Sequence, residues 1–98
     1  MNIKIEERNE NITVRVEGVV KSIVDSQNIQ DAIDALSSEN NITIDFVDSF
    51  SLTSTVIGFL LKKIQKDKFK ITLLVHDKRL WELLGHLNLT GPLNAEMV

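Results

Sequence analysis

The chain has no cysteine, one proline and one tryptophan in 98 residues. Without cysteine, disulfide bonds and thiolate chemistry are excluded. The two histidines, His76 and His86, stand apart from any metal-ligand cluster, and the four glycines are isolated, so no phosphate-cradling loop is present. No serine, histidine and acid combine into a nucleophile motif. We therefore expect a protein that has no metal or cofactor and is not an enzyme.

Long apolar segments are also absent, since none approaches the ~20 residues that span a bilayer. Residues 1–10 are polar and acidic, unlike a signal peptide, so we expect a cytoplasmic protein without a membrane span. The net charge is −3 and the pI is near 5.3, which argues against nucleic acid as a partner because phosphate binding favours a basic surface. The length predicts a single domain over residues 1–98.

The basic residues are concentrated in the second half of the chain. Residues 50–98 contain seven bases and four acids, whereas residues 1–49 contain four bases and ten acids. Five of the bases are lysines between positions 62 and 70. They form either the solvated end of a helix, where cations complement the dipole, or a docking surface for an acidic partner.

Alternation of apolar and polar residues predicts strands over residues 2–7 and 12–18, joined as an antiparallel hairpin. Residues 42–46 predict a third strand. The near-continuous apolar run 70–75 is typical of a strand covered on both faces. The last residues, 93–98, favour a short final strand.

Helical periodicity predicts three helices, over residues 24–37, 54–66 and 78–87. The first is predicted to be capped by Asp25 or Ser26, and the third by Asp77. The core stripe of the second helix is Ile57, Leu60, Leu61 and Ile64. The order β-β-α-β-α-β-α(-β) predicts an α/β fold, with a small mixed β-sheet and amphipathic helices packed on it.

Several motifs resemble the STAS domain, which sulfate transporters and anti-sigma factor antagonists share. The V-E-G of residues 16–18 is similar to the end of the family's second strand, and residues 42–46 to its vLDL strand. Residues 53–58 stand where the family has D-S-[ST]-G-L-G, with Thr53 replacing the aspartate and Val56 the first glycine. Residues 80–89 resemble the family's later V-x-x-L-L-x-x-x-G-L motif.

The resemblance implies a non-enzymatic regulatory module like the bacterial anti-anti-sigma proteins, which bind a kinase-type anti-sigma factor and are switched by phosphorylation. It places the phosphoacceptor at Thr55, with Ser54 beside it, and implies a PP2C-type phosphatase as a further partner. A shifted frame over residues 47–52 puts Phe50 at the phosphoacceptor position and gives the neighbouring Ser49 and Ser51 as candidates instead. Because a hydroxyl at a helix start also caps it, Ser54 or Thr55 is predicted to be both cap and switch.

Val56 and Phe59 lie off the predicted core stripe of the second helix, so its first turns are apolar on more than one face. Such a surface is either buried or used for binding, and we predict that both residues belong to a partner surface. The alternative function is a constitutive cytosolic STAS subunit of an ABC-type lipid transport complex, bound to the transporter's ATPase. Trp81 is either a core-edge residue or an interface anchor.

Overall fold

A computed structural model describes residues 1–98 and has the predicted element order. The strands are β1 (Asn2–Arg8), β2 (Asn11–Glu17), β3 (Asn41–Phe46), β4 (Lys70–Val75) and β5 (Ala95–Met97). The helices are α1 (Ile23–Asp34), α2 (Ser54–Gln65) and α3 (Lys78–His86). The predicted α/β fold, its hairpin and its short last strand are confirmed.

The five strands form one mixed sheet in the order β1-β2-β3-β4-β5. Strand β1 is antiparallel to β2, and every later neighbour is parallel. Because each right-handed crossover advances to the next strand in the same direction, α1, α2 and α3 lie on the same face of the sheet. The other face is left without a helical layer.

Burial follows this one-sided arrangement. In β2, β3 and β4 every second residue is buried against the helices and the residues between them are half-buried. The prediction that β4 is covered on both faces was therefore wrong, since Thr72 and Leu74 lie on the open face. The buried apolar residues form one cluster between the sheet and the helices, with the half-buried Trp81 at its edge.

Helix α1 begins at Ile23, one residue before the predicted start at 24, because the cap is Ser22. Its hydroxyl accepts the N–H of Asp25 at 3.1 Å, and the Asp25 carboxylate accepts the N–H of Lys21 at 3.2 Å. The hydrogen bond from the Lys21 N–H is the chief cause that holds the pKa of Asp25 below its usual value. Asp25 and Ser26, the predicted caps, are thus inside the helix, which ends at Asp34 rather than at residue 37.

One of the five clustered lysines joins α1 to α2. Lys63 is 14% exposed, its ammonium lies 2.6 Å from Asp34, and it sits 5.5 and 4.6 Å from the ring centres of Phe59 and Phe69. The hydrogen bond to Asp34 raises the pKa of Lys63, so its contribution to stability is complete below the ordinary lysine pKa and is lost only in strong alkali. This lysine is structural rather than part of a solvated helix end.

Candidate functional site

Three loops meet at the edge of the sheet where the parallel strands β2, β3 and β4 end. In open α/β sheets this carboxyl edge is the usual location of binding sites. The first two loops are tied together, since the Ser49 hydroxyl donates to the Gly18 carbonyl at 2.8 Å and the Asp48 carboxylate accepts the Gly18 N–H at 2.6 Å. Gly18 has a φ of 93°, which favours glycine, and an added Cβ would meet the Met1 backbone at 3.1 Å.

Helix α2 begins at this edge, and its cap is Thr53. The Thr53 hydroxyl accepts the N–H of Val56 at 3.2 Å and lies 3.0 Å from the hydroxyl of Ser26, which is buried in α1. The cap therefore also links the two helices. Ser54 and Thr55, each predicted to be both cap and switch, are not the cap; both are exposed and make no side-chain hydrogen bond.

The Thr53 cap leads to a stability prediction. Thr53→Ala should lower the free energy of unfolding by about 1–2 kcal/mol, because an N–H of the first turn loses its acceptor. Ser54→Ala, one residue along, should change it by less than about 0.5 kcal/mol. Urea unfolding of both variants checks this, and equal losses would show that Thr53 does not have the capping role described.

A groove of about 280 Å³ separates the first turns of α1 and α2. It is lined almost entirely by polar side chains, and Thr55 stands on one wall while Lys21 stands on the other. The remaining lining residues are Ser22, Ile23, Ser26, Gln27, Gln30 and Thr53. A group added to the Thr55 hydroxyl would enter a space that both helices border.

The residues of the shifted frame lie in the loop before α2. Ser49 is fully buried and its hydroxyl is engaged by Gly18, while Ser51 is half-buried. A kinase would have to open this loop to reach Ser49. Helix α2 starts one residue after Thr53, at the position where the first frame puts the helix start.

The two residues predicted to form a partner surface differ in their burial. Val56 has no exposed surface and belongs to the core, so its assignment to a partner surface was wrong. It packs inward because Val56 and Leu60, four residues apart, form the buried line of α2. Phe59 is half-buried and stands one turn from Thr55 along the helix, so it remains a candidate.

Two features of this edge were not predicted. Ile23 and Val24, in the first turn of α1, are 88% and 67% exposed. On the open face, the Nε2 of His76 lies 2.7 Å from the Asp45 carboxylate, which also lies 3.9 Å from the Nε of Arg15. Exposure of Ile23 was detectable, because it falls outside the apolar stripe; the Asp45–His76 pair joins residues 31 apart and has no local signal.

The start of α3 completes the edge. The Asp77 carboxylate caps the helix by accepting the N–H of Arg79 at 2.8 Å, as predicted, and it also binds the Arg79 guanidinium at 2.7 Å. The guanidinium bonds hold the pKa of Asp77 below its usual value. Arg79 in turn lies 4.8 Å from the ring centre of Phe50, which fixes an exposed aromatic ring beside the α2 loop.

The structure holds no group of three His, Asp or Glu side chains placed to bind a metal ion. None of its helices combines the length and apolar character needed to cross a lipid bilayer.

Comparison with known proteins gives a match in structure alone. Neither the protein-family models nor the curated proteins contain a match to the sequence. A crystal structure of an anti-sigma factor antagonist from Mycobacterium paratuberculosis superposes with a TM-score of 0.78, over 96% of this chain and 83% of that chain, at 15% sequence identity. The chain has a STAS-like fold.

The resemblance seen in the sequence is therefore confirmed at the level of the fold. At this identity a STAS-like fold does not determine what the chain binds, because one fold hosts many functions. The features of this chain that bear on binding are the capped start of α2, the groove and the exposed apolar residues around them.

Proposed function

We propose that this chain is a non-enzymatic, cytoplasmic protein-binding module of a partner-switching pathway, similar in role to an anti-sigma factor antagonist. The observation that carries the proposal is the start of α2, where Thr53 alone provides the cap. Ser54 and Thr55 are left exposed without a structural task. A phosphate on Thr55 would then leave the cap intact, because it uses a hydroxyl that the fold does not need.

The distribution of exposed apolar residues supports a partner surface at the same edge. Of the eight large hydrophobic residues that are exposed, six lie at or beside the carboxyl edge of the sheet. These six are Met1, Ile23, Val24, Phe50, Met97 and Val98. Exposed apolar side chains gathered on one side of a small domain favour a protein–protein contact there.

The partner that fits best is a kinase-type anti-sigma factor. Such a kinase would transfer the γ-phosphoryl group of ATP to Thr55: the Oγ1–P bond forms, the bond to the β-phosphate oxygen breaks, ADP leaves, and the hydroxyl proton passes to a base of the kinase. A PP2C-type phosphatase would hydrolyse the phosphate and restore binding. The chain's own role is to present the hydroxyl and the docking surface.

Ile23 and Val24 provide a direct test of the docking surface. Replacing both with serine should weaken partner binding at least about tenfold, since two exposed aliphatic contacts are lost, each fully buried side chain being worth about 1.5–3 kcal/mol. The melting temperature should change little, because neither side chain packs in the core. Leu87→Ser is the control: Leu87 is 49% exposed but lies at the far end of α3, and its replacement should leave affinity unchanged.

Affinity capture from the native host tests the proposal as a whole. The unsubstituted chain and Thr55→Ala should retain a kinase-type regulator, identified by mass spectrometry, and Thr55→Glu should retain much less of it. Equal capture of an ABC transporter ATPase by all three would instead support the alternative of a constitutive transport subunit. Phe59→Ala belongs in the same series, and it should weaken capture more than it lowers the melting temperature.

A further inference from the structure

The groove between α1 and α2 places a cation opposite the proposed phosphorylation site. Lys21 and Thr55 line the same space of about 280 Å³ from opposite sides. Lys21 forms no ion pair in the structure, unlike Lys63, Lys78 and Arg79. Its ammonium group is therefore free to bind an anion in the groove.

The acids nearest the groove do not compete for this ammonium. The Asp25 carboxylate accepts the backbone N–H of Lys21, which leaves the side chain of the lysine unpaired. Asp31 accepts the side-chain amide of Gln27 at 2.8 Å. The first turn of α2 has no acidic residue. A phosphate on Thr55 would thus be the only negative charge on the α2 side of the groove.

The walls of the groove are already fixed relative to each other. The hydroxyls of Ser26 and Thr53 lie 3.0 Å apart at its base, and Ser26 is only 3% exposed. The phosphate and Lys21 would therefore share a groove whose two walls are already joined, and the flexible lysine side chain would have to be ordered.

We propose that Lys21 is a built-in counter-ion for phosphorylated Thr55, and that the ion pair between them closes the groove. This inference rests on the proposed function, and it specifies how the switch acts. The phosphate excludes the partner by filling the groove between α1 and α2 with a paired charge, beside the exposed Ile23, as well as by adding negative charge to the surface.

The test is a titration of the phosphate itself. The 98-residue chain is prepared by peptide synthesis and ligation with phosphothreonine at position 55, and its phosphorus NMR shift is followed with pH. An ordinary phosphate ester has its second pKa near about 6. An exposed ion pair with Lys21 should lower that pKa by about 0.2–0.7 units.

Three variants of the phosphorylated chain decide the outcome. Lys21→Met should raise the second pKa of the phosphate back to its ordinary value, because the counter-ion is lost. Lys21→Arg should keep this pKa low. Lys70→Met removes the same charge from an unpaired lysine at the opposite edge of the sheet, and it should have no measurable effect. A Lys21→Met chain that titrates like the Lys70→Met chain overturns the inference. No kinase or partner enters this experiment, so its failure is distinct from a failure of the proposed function.

Discussion

Thr55→Glu is expected to fold normally and to bind its partner at least about tenfold more weakly than the unsubstituted chain, while Thr55→Ala keeps full affinity. The fold should survive because Thr55 is exposed and has no hydrogen bond to lose. A negative charge at a helix start is also favourable with respect to the helix dipole, by about 0.3–1 kcal/mol at an exposed site. The melting temperature should therefore stay equal or rise slightly.

The loss of affinity has a different origin, namely the interface. A partner that covers the start of α2 would have to remove water from the new carboxylate, and desolvating a charged group costs several kcal/mol. Ser54→Glu should have a smaller effect, because Ser54 does not line the groove. Calorimetric titration of each variant against the captured partner, with melting curves alongside, measures both quantities. Equal affinities for all of them would leave residues 53–55 as a helix start without a switch.

Val56→Gly should lower the free energy of unfolding by about 3 kcal/mol. Removing a fully buried valine side chain costs about 1.5–3 kcal/mol, and the poor helix preference of glycine adds up to about 1 kcal/mol. The resemblance to the STAS family places a glycine at this position, so the prediction also measures how far this chain's core depends on its own residue.

The matched control is Val24→Gly. Val24 also stands in the first turn of a helix, but it is 67% exposed whereas Val56 has no exposed surface. Its replacement should cost about 1 kcal/mol or less, because only the helix preference is lost. Urea unfolding of the two variants gives the difference directly. If both lose the same stability, Val56 is not the core residue that the structure shows.

Elements with a clear local period were predictable from the sequence. Alternation identified β1 and β2, and the Asp77 cap marked the start of α3. Burial was less predictable in elements that have more apolar residues than one buried face can accommodate. In α2 the predicted stripe was right at Leu60, but Val56 is buried with it while Ile57, Leu61 and Ile64 are half-buried. Only the position of α2 on the sheet decides which line is buried.

The prediction that both faces of β4 are covered was wrong for a related reason. A run such as Lys70–Val75 is compatible with one covered face or two, and the number of covered faces depends on the direction of every crossover in the sheet. Leu74 is half-exposed because all three crossovers advance the same way.

The candidate site likewise has features that are local in the sequence and features that depend on how the helices pack. The hydroxyl residues at the start of α2 are a local motif and were predictable, although the choice of Thr53 as cap needed the backbone. The groove and its Lys21 wall were not predictable, because they require α1 and α2 to lie side by side. Ile23 falls outside the apolar stripe of α1, but it was missed because the predicted start of the helix lay one residue late.

The phosphorylation state of Thr55 in the free and the partner-bound chain decides whether Thr55 is the switch. The chain is isolated from its native host in two pools, one alone and one in complex, and each is mapped by fragmentation mass spectrometry. We expect phosphate on Thr55 in the free pool and none in the bound pool. Phosphate at the same level in both pools, or an unmodified Thr55 under every growth condition, would contradict it.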